Sequence, residues 1–289
     1  FVSPSHLQPE KSPIEDIYAS LHYGLKSFMD AIGVHKVVLG VSGGIDSAVN
    51  AALYATVLPP ENILLVNMPS CYNSDTTKSL AKELADNIGC LYTVVPVQDS
   101  LELTRHQFEG AGLSQKGQDK GHLELTSFIE ENIQARDRSS RILAAAAAAF
   151  GGVFTCNANK AELSVGYATL YGDMAGGFAV IKDIYKTFVY RLCAWRNAQP
   201  GGAVIPDNIL TRPPSAELKP DQCDQDSLPP YEVLDAIIAA YMEEDLSPRE
   251  IVARGYPEAD VLRTVGMLRR NEYKRRQAPP GIRVTQRGF

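Results

Sequence analysis

Tryptophan occurs once in this 289-residue chain, and the five cysteines (Cys71, Cys90, Cys156, Cys193 and Cys223) are scattered without a CxxC pair. An odd, dispersed set argues against a disulfide framework and a structural zinc site, and fits a reducing compartment, the cytoplasm. Long apolar runs are also missing. The longest, Ile142–Phe154, is mostly alanine and glycine and falls short of the ~20 residues that a membrane span needs. No signal peptide opens the chain. Positive charge is not in excess: 28 Lys and Arg against 34 Asp and Glu leave a net charge of −6. That makes a general nucleic-acid binder a poor reading, because phosphate neutralisation supplies most of such affinity. A local basic pocket for a small anion stays open.

What is present is ordinary for a globular protein: 45% hydrophobic and 21% charged residues, enough for one large α/β domain. The chain starts at Phe1 without a methionine and stops in a polar stretch, Arg283–Phe289, so a fragment of a longer protein is expected. Residues 1–13, with three prolines, read as an inter-domain linker, and 14–289 as the domain.

The periodicity predicts a helix over Ile14–Ile32, then alternating strands and helices. Lys36–Val41, Asn62–Met68 and Leu91–Val97 are short, apolar and β-branched, as buried parallel strands are. Asp46–Val57 and the stretch from Ser74 or Asp75 to Ile88 carry apolar residues at helical spacing, the second closed by Gly89. The β-α-β-α-β order predicts a doubly wound α/β fold, a parallel sheet flanked by helices with its ligand at the carboxyl ends of the strands. Arg105–Gly121, polar and with four glycines, reads as a mobile loop near the site. A long helix is expected over Leu123–Phe150, a fourth strand over Val153–Cys156 and a helix over Ile184–Arg196. The seven prolines of Gln199–Pro230 mark an irregular stretch. Tyr231–Gln277 reads as a helical C-terminal part, divided at Pro248, Gly255 and Pro257.

The sharpest local signal is Gly40-Val41-Ser42-Gly43-Gly44-Ile45-Asp46-Ser47, between a predicted strand and a predicted helix. Paired glycines let backbone N–H groups approach a ligand, and the helix N-terminus adds positive potential, so the place suits a phosphate. Asp46 is out of place in an anion site unless a cation joins it, and magnesium takes carboxylate and phosphate oxygens together. The string is not a Walker loop, which would need lysine where Asp46 stands. A plain strand-to-helix turn is the bland alternative, and the full string weighs against it.

Ser42–Ser47, SGGIDS, resembles the pyrophosphate loop of the ATP pyrophosphatase family, whose members adenylate a carbonyl oxygen and let a nucleophile displace AMP. Further stretches are similar to NAD synthetases within it. Asn132-Ile133-Gln134-Ala135-Arg136 resembles N-x-x-A-R, which implies that Arg136 contacts deamido-NAD. By periodicity alone, Ile129, Ile133, Arg136 and Leu143 share one helical face, where an arginine would ordinarily reach for water. Cys156 to Glu162 resembles G-T-x-x-x-x-E, placing Asn157 at ATP and Glu162 as second metal ligand with Asp46. Cys156 and Asn157 depart from the ammonia-dependent pattern and fit the glutamine-dependent branch.

Gly166 to Asp173 resembles G-Y-x-T-x-Y-G-D. That match places Tyr167, Leu170 and Asp173 with Glu162 at deamido-NAD; without it, a turn and a substrate loop would be equal readings. Lys186 falls at the family's ATP-phosphate lysine. Pro214 to Leu218 resembles P-S/T-A-x-L, so that Ser215 would reach ATP from a lid. Glu272 to Arg276, otherwise a solvated basic cluster, places Tyr273 and Lys274 at deamido-NAD. Met68, before Pro69, falls where the superfamily cups adenine, although a strand ending in a proline turn fits equally well.

The resemblance covers about Ile14–Phe289 and implies an ATP- and magnesium-dependent amidation of deamido-NAD. Asp46, Glu162 and Lys186 would be the catalytic residues. The ATP-binding set would be Gly40, Val41, Ser42, Gly43, Gly44, Ile45, Asp46, Ser47, Met68, Asn157, Lys186 and Ser215. It further implies ammonia as nucleophile, a glutaminase domain or subunit as its source, and a homodimer or higher assembly. Nothing in these 289 residues supplies a glutaminase. The rival readings are another ATP-pyrophosphatase ligase or tRNA-modifying enzyme, which should be basic and often cysteine-equipped, and a nucleotide-binding module without turnover.

Overall fold

The structure, a computed structural model, describes residues 13–71, 73–214, 218 and 223–288. The first described element is helix α1, Pro13–Ile32, which buries Leu21, Leu25 and Met29. It then enters β1 (Val37–Gly40), α2 (Ile45–Tyr54), a 3-10 turn, β2 (Ile63–Asn67), α3 (Asp75–Ile88) and β3 (Leu91–Val94). Ser74 caps α3 by accepting the Thr77 N–H, and Gly89 ends it in the left-handed conformation at φ 76°. These are the caps the sequence predicts.

The segment after β3 corrects one expectation. Gln98–Phe108 forms helix α4, and Gly112–Gln115 (β4) pairs antiparallel with Gln118–His122 (β5) in an exposed hairpin. The glycines there mark hairpin and helix ends rather than a loop over the site. Arg105 of α4 clasps Glu130 with two bonds of 2.5 and 2.6 Å, which anchors α4 to the next helix.

The long helix predicted over Leu123–Phe150 is continuous from Ser127 but not uniform. It runs as α5 (Ser127–Arg136), a π-helical stretch Asp137–Leu143 and α6 (Ala144–Phe150). β6 is only Val153–Phe154, followed by α7 (Lys160–Val165) and α8 (Lys186–Asn197). A short α9 (Asp207–Thr211) interrupts the stretch read as irregular, and the C-terminal part is helical as predicted: α10 (Tyr231–Met242), α11 (Pro248–Ala253), α12 (Glu258–Arg270) and α13 (Glu272–Arg275).

The sheet is wholly parallel in the order β3-β2-β1-β6. Because side chains alternate across a strand, Val37 and Leu39 of β1 enter one core with Ile63 and Leu65. Val38 and Val66 enter the core on the other face, beside Ile142 and Leu143. The sheet is therefore covered on both sides, as a doubly wound fold requires. Strand order reverses at β1, between β2 and β6, which opens a crevice at their carboxyl ends. The loop from Gly40 to Gly44 lies there. Among the described residues no helix is long and apolar enough to cross a membrane.

Candidate active site

The loop leaving β1 is shaped by close backbone contact. Gly43 has φ +82°, and a Cβ there would lie 2.5 Å from the Thr77 carbonyl oxygen. Only glycine fits both conditions. Helix α2 then starts with Gly44 at its N-cap and without a side-chain cap. Its positive end faces a cavity of about 620 Å³ that Gly40, Val41, Ser42, Gly43, Gly44, Ile45, Asp46 and Ser47 all line. The Ser42 hydroxyl accepts the Gly44 N–H at 3.2 Å, and the Ser47 hydroxyl donates to the Gly44 carbonyl at 2.9 Å.

Three residues singled out from the sequence meet at the end of this loop. The Lys186 ammonium donates to Asp46 at 2.5 Å and to Glu162 at 3.1 Å. Lys186 is the first residue of α8, Glu162 sits in the first turn of α7 and Asp46 in the first turn of α2. Three helix N-termini thus converge. Lys186 is only 3% exposed. Burial alone would lower its pKa, but the carboxylates of Asp46 and Glu162 more than reverse this and hold it charged. Burial pushes the Glu162 carboxyl up to about 8, against the opposing pull of Lys186.

Asn159, to which the sequence reading gave no role, completes the group. Its amide donates to the second oxygen of Asp46 at 3.0 Å, and its carbonyl oxygen caps α7 by accepting the Glu162 N–H at 3.1 Å.

The remaining cavity wall comes from elements far apart in sequence. Asn157 donates to the Gly40 carbonyl at 2.8 Å, while its own buried carbonyl oxygen carries no hydrogen bond. Met68 lines the cavity, and its backbone carbonyl accepts from Arg138 at 3.0 Å. Arg138 and Ser139 lie on the π-helical stretch and both line the cavity. A π-turn changes side-chain direction relative to the flanking α-helix, and such turns are frequent at functional sites.

Tyr167, Asp173 and Lys274 also line the cavity. Lys274 donates to the carbonyls of Gly166 and Ala168 at 2.9 and 2.7 Å, and Asn271 donates to that of Val165 at 2.8 Å. The end of α12 and α13 thereby clamps the turn that carries Tyr167. Burial lowers the Lys274 pKa.

Three candidates stand apart from the cavity. Arg136 is exposed, donates to the Leu170 carbonyl at 3.2 Å and borders a separate hollow of about 280 Å³. Leu170 packs with Cys156, Leu163 and Met174. Tyr273 is 53% exposed. The helical face read through Ile129, Ile133, Arg136 and Leu143 is only partly covered: Ile129 and Arg136 are exposed, Ile133 is half-buried and Leu143 is buried in the core. Ser215 lies outside the described residues.

Sequence reasoning also missed Arg138, Arg212, Asp224 and Ser227 among the lining residues. The π-turn is invisible to a 3.6-residue period, and the others fall in the proline-rich stretch, where periodicity is silent. Cys156 is buried and its thiol is pushed up to about 12, a poor nucleophile.

An uncapped helix terminus at a strand-order switch, with a buried lysine between two carboxylates, defines a phosphate-binding α/β protein. The model of the NAD synthase family matches residues 17–278, and the chain belongs to that family. The glutamine-dependent NAD(+) synthetase of Aquifex aeolicus is 45% identical over 95% of this chain and 46% of its own length. That of Thermotoga maritima is 41% identical over 98% of this chain and 48% of its own. The chain thus spans about half the length of the curated relatives it matches. A structure of the glutamine-dependent NAD+ synthetase of Acinetobacter baumannii in complex with ADP superposes with a TM-score of 0.64 at 36% identity, covering 98% of this chain and 49% of that one. An NH3-dependent NAD synthetase from Campylobacter jejuni shares the fold at a TM-score of 0.70 and 23% identity, over 91% of this chain and 96% of its own.

Proposed function

We propose that this chain forms the amide of NAD: ATP adenylates the nicotinate carboxylate of deamido-NAD, and ammonia displaces AMP. The observation that carries this reading is the meeting of Asp46, Glu162 and Lys186 at the uncapped terminus of α2. Adenylation needs the pyrophosphate held while the α-phosphorus is attacked. The N-terminus of α2 and the loop amides suit the phosphate oxygens, and Lys186, kept charged by its carboxylate neighbours despite burial, offsets charge that builds on the leaving group. Asn157, Met68 and Ser215 are the further ATP-binding residues of this reading. Glu162, Tyr167, Asp173 and Lys274, all on the cavity wall, hold the dinucleotide in this reading, with Arg136, Leu170 and Tyr273 as the outer part of that site.

In the second step the nitrogen–carbon bond forms as the carbon–oxygen bond to AMP breaks, and the nitrogen sheds a proton. Positioning and charge stabilisation do the catalysis, without a covalent enzyme intermediate.

Magnesium fits the donor set. Asp46 and Glu162 supply two carboxylates that both bond Lys186, and among the described residues no group of three or more His, Cys, Asp or Glu is placed to hold a metal ion. They would hold the ion, which would neutralise phosphate charge. We further propose a cytoplasmic setting, a homodimeric or higher assembly, and a glutaminase domain or subunit as the source of ammonia.

The test is NAD formation and pyrophosphate release from ATP, deamido-NAD and ammonium, with wild type and Asp46→Ala. The expected result is NAD from the wild type and none from the variant. No NAD from a wild type that still binds ATP would overturn the substrate assignment. Glutamine offered to this chain alone is expected to give no NAD.

A further inference from the structure

Helix α5 and the π-helical stretch after it bond to two loops that lie far apart in sequence. Arg136 donates to the Leu170 carbonyl and the Ser140 hydroxyl to that of Tyr171, so these two hold the turn 169–173. Arg138, between them, turns to a different loop. Its Nε donates to the Met68 carbonyl at 3.0 Å and its Nη2 to the Asn73 side-chain oxygen at 3.5 Å. That same Asn73 oxygen accepts the Ser70 N–H at 2.8 Å and the Ser70 hydroxyl at 3.2 Å. Strand β2 ends at Asn67, so these bonds fix the course of the chain as it leaves the sheet. Met68, Asn73, Arg138 and Ser139 line the cavity together. An arginine in a phosphate pocket is ordinarily a ligand for the phosphates. Here two donors of its fork are aimed at a backbone carbonyl and an amide oxygen, the geometry of a residue that braces a turn.

We infer that Arg138 is a positioning residue for the adenylation step: it holds residues 68–70 as the seat of the ATP base, and with them the choice of adenine over guanine. This rests on the proposed ATP-dependent reaction and names the side chain that shapes its nucleotide site. A carbonyl oxygen has two lone pairs, and Arg138 takes one of them at Met68. The other suits the exocyclic amine of adenine. Guanine has a carbonyl oxygen at that place, and two acceptors facing each other leave both without a hydrogen bond. A carbonyl makes that choice only if its direction is fixed, and the Arg138 fork fixes it. The positive charge of Arg138 also reaches Asp173. Lysine keeps that charge and loses the fork, which separates the two effects.

The test compares wild type, Arg138→Lys and Asn73→Ala in ATP–pyrophosphate exchange and in NAD formation. Loss of the charge-assisted bond to the Met68 carbonyl predicts a KM for ATP raised roughly five- to fiftyfold in Arg138→Lys, with the KM for deamido-NAD within about twofold of wild type. Asn73→Ala removes the other end of the brace without changing charge, and its KM for ATP is expected to rise as well. Because both act through one turn, the double variant should be no worse than the more damaged single variant. The ratio of kcat/KM for ATP to that for GTP is expected to fall in both single variants. An unmoved KM for ATP, equal rises for ATP and deamido-NAD, or an unchanged preference for ATP over GTP overturns the assignment. A fall in kcat alone makes Arg138 a ligand of the reacting phosphates and overturns it too. If melting curves show Arg138→Lys unfolded, Asn73→Ala decides by the same readings. A wild type that catalyses neither exchange nor NAD formation overturns the functional reading and this inference with it. Normal wild-type turnover with an unmoved KM for ATP in the variants overturns this inference alone.

Discussion

Asn159 reaches Asp46 across the crevice: its amide donates to the Asp46 carboxylate at 3.0 Å while its carbonyl oxygen caps α7 on the Glu162 N–H. One side chain thereby fixes the angle between the two carboxylates that flank Lys186. Asn159→Ala is expected to lose the cap, about 1 kcal/mol, together with most ATP–pyrophosphate exchange. Asn159→Asp keeps an oxygen for the cap but faces Asp46 with a like charge, so its melting temperature should fall less than its exchange rate. Melting curves beside exchange assays decide this; equal exchange in all three proteins would sink it.

Lys186 is 3% exposed and bonded to two carboxylates. Lys186→Met leaves those carboxylates without their cation, a loss of about 3–5 kcal/mol by analogy with broken buried pairs. Urea denaturation measures it, and adding Asp46→Asn to the variant should return part of the loss. Wild-type stability in Lys186→Met would mean that the pair is not buried in solution.

Asp235 on α10 accepts both the N–H and the hydroxyl of Thr187 at 2.8 Å, and so holds the first turn of the helix that begins with Lys186. Burial pushes its carboxyl from 3.8 up to about 6. The folded state therefore holds the proton more tightly than the unfolded chain, and stability falls as pH rises from about 3.8 through about 6. Asp235→Asn keeps an acceptor oxygen and removes the titration. Its stability relative to wild type should improve by roughly 2–3 kcal/mol between about pH 4 and about pH 7.5. Chemical denaturation at the two pH values checks this, and a constant difference would refute it.

Lys160 is fully buried and donates to Glu243 at 2.8 Å, to Thr285 at 2.5 Å and to the Arg287 carbonyl at 2.8 Å, with Asp183 at 2.9 Å. Asp183 also accepts the N–H groups of Val284 and Thr285. The stretch 284–287 is thus tied to the first residue of α7. Lys160→Met is expected to cost about 3–5 kcal/mol and to speed hydrogen exchange at Val284 and Thr285. Unchanged exchange there would show that Asp183 holds the tail without Lys160.

The legible parts of this protein were those with a local cause. β1, β2 and β3 announced themselves as short apolar runs, and α3 carried its own start and stop in Ser74 and Gly89. Gly43 and Asp46 pointed to a phosphate loop because the full string Gly40–Ser47, set between a strand and a helix, carries more than a plain turn requires. The hairpin after α4 was misread because its exposed strands have no apolar face to reveal them. The face through Ile129, Ile133, Arg136 and Leu143 is buried only at Leu143, because periodicity marks a face without saying how much of it the fold covers. Helical spacing could not anticipate the π-helical Asp137–Leu143, which carries Arg138 and Ser139 to the cavity.

By itself the sequence determined which apolar segments become the strands of the main sheet, that this sheet is parallel, and that a paired-glycine turn suited to an anion follows β1. Those properties follow from side-chain period, turn chemistry and the right-handed crossover, which act within a few dozen residues. Only the tertiary structure decided that Lys186 stands between Asp46 and Glu162, that Asn159 ties the two together, that Asp224 lines the same cavity, and that Tyr273 stays outside. Such meetings depend on the direction in which each helix packs onto the sheet, and that direction is set by the burial of whole faces rather than by the residues that meet.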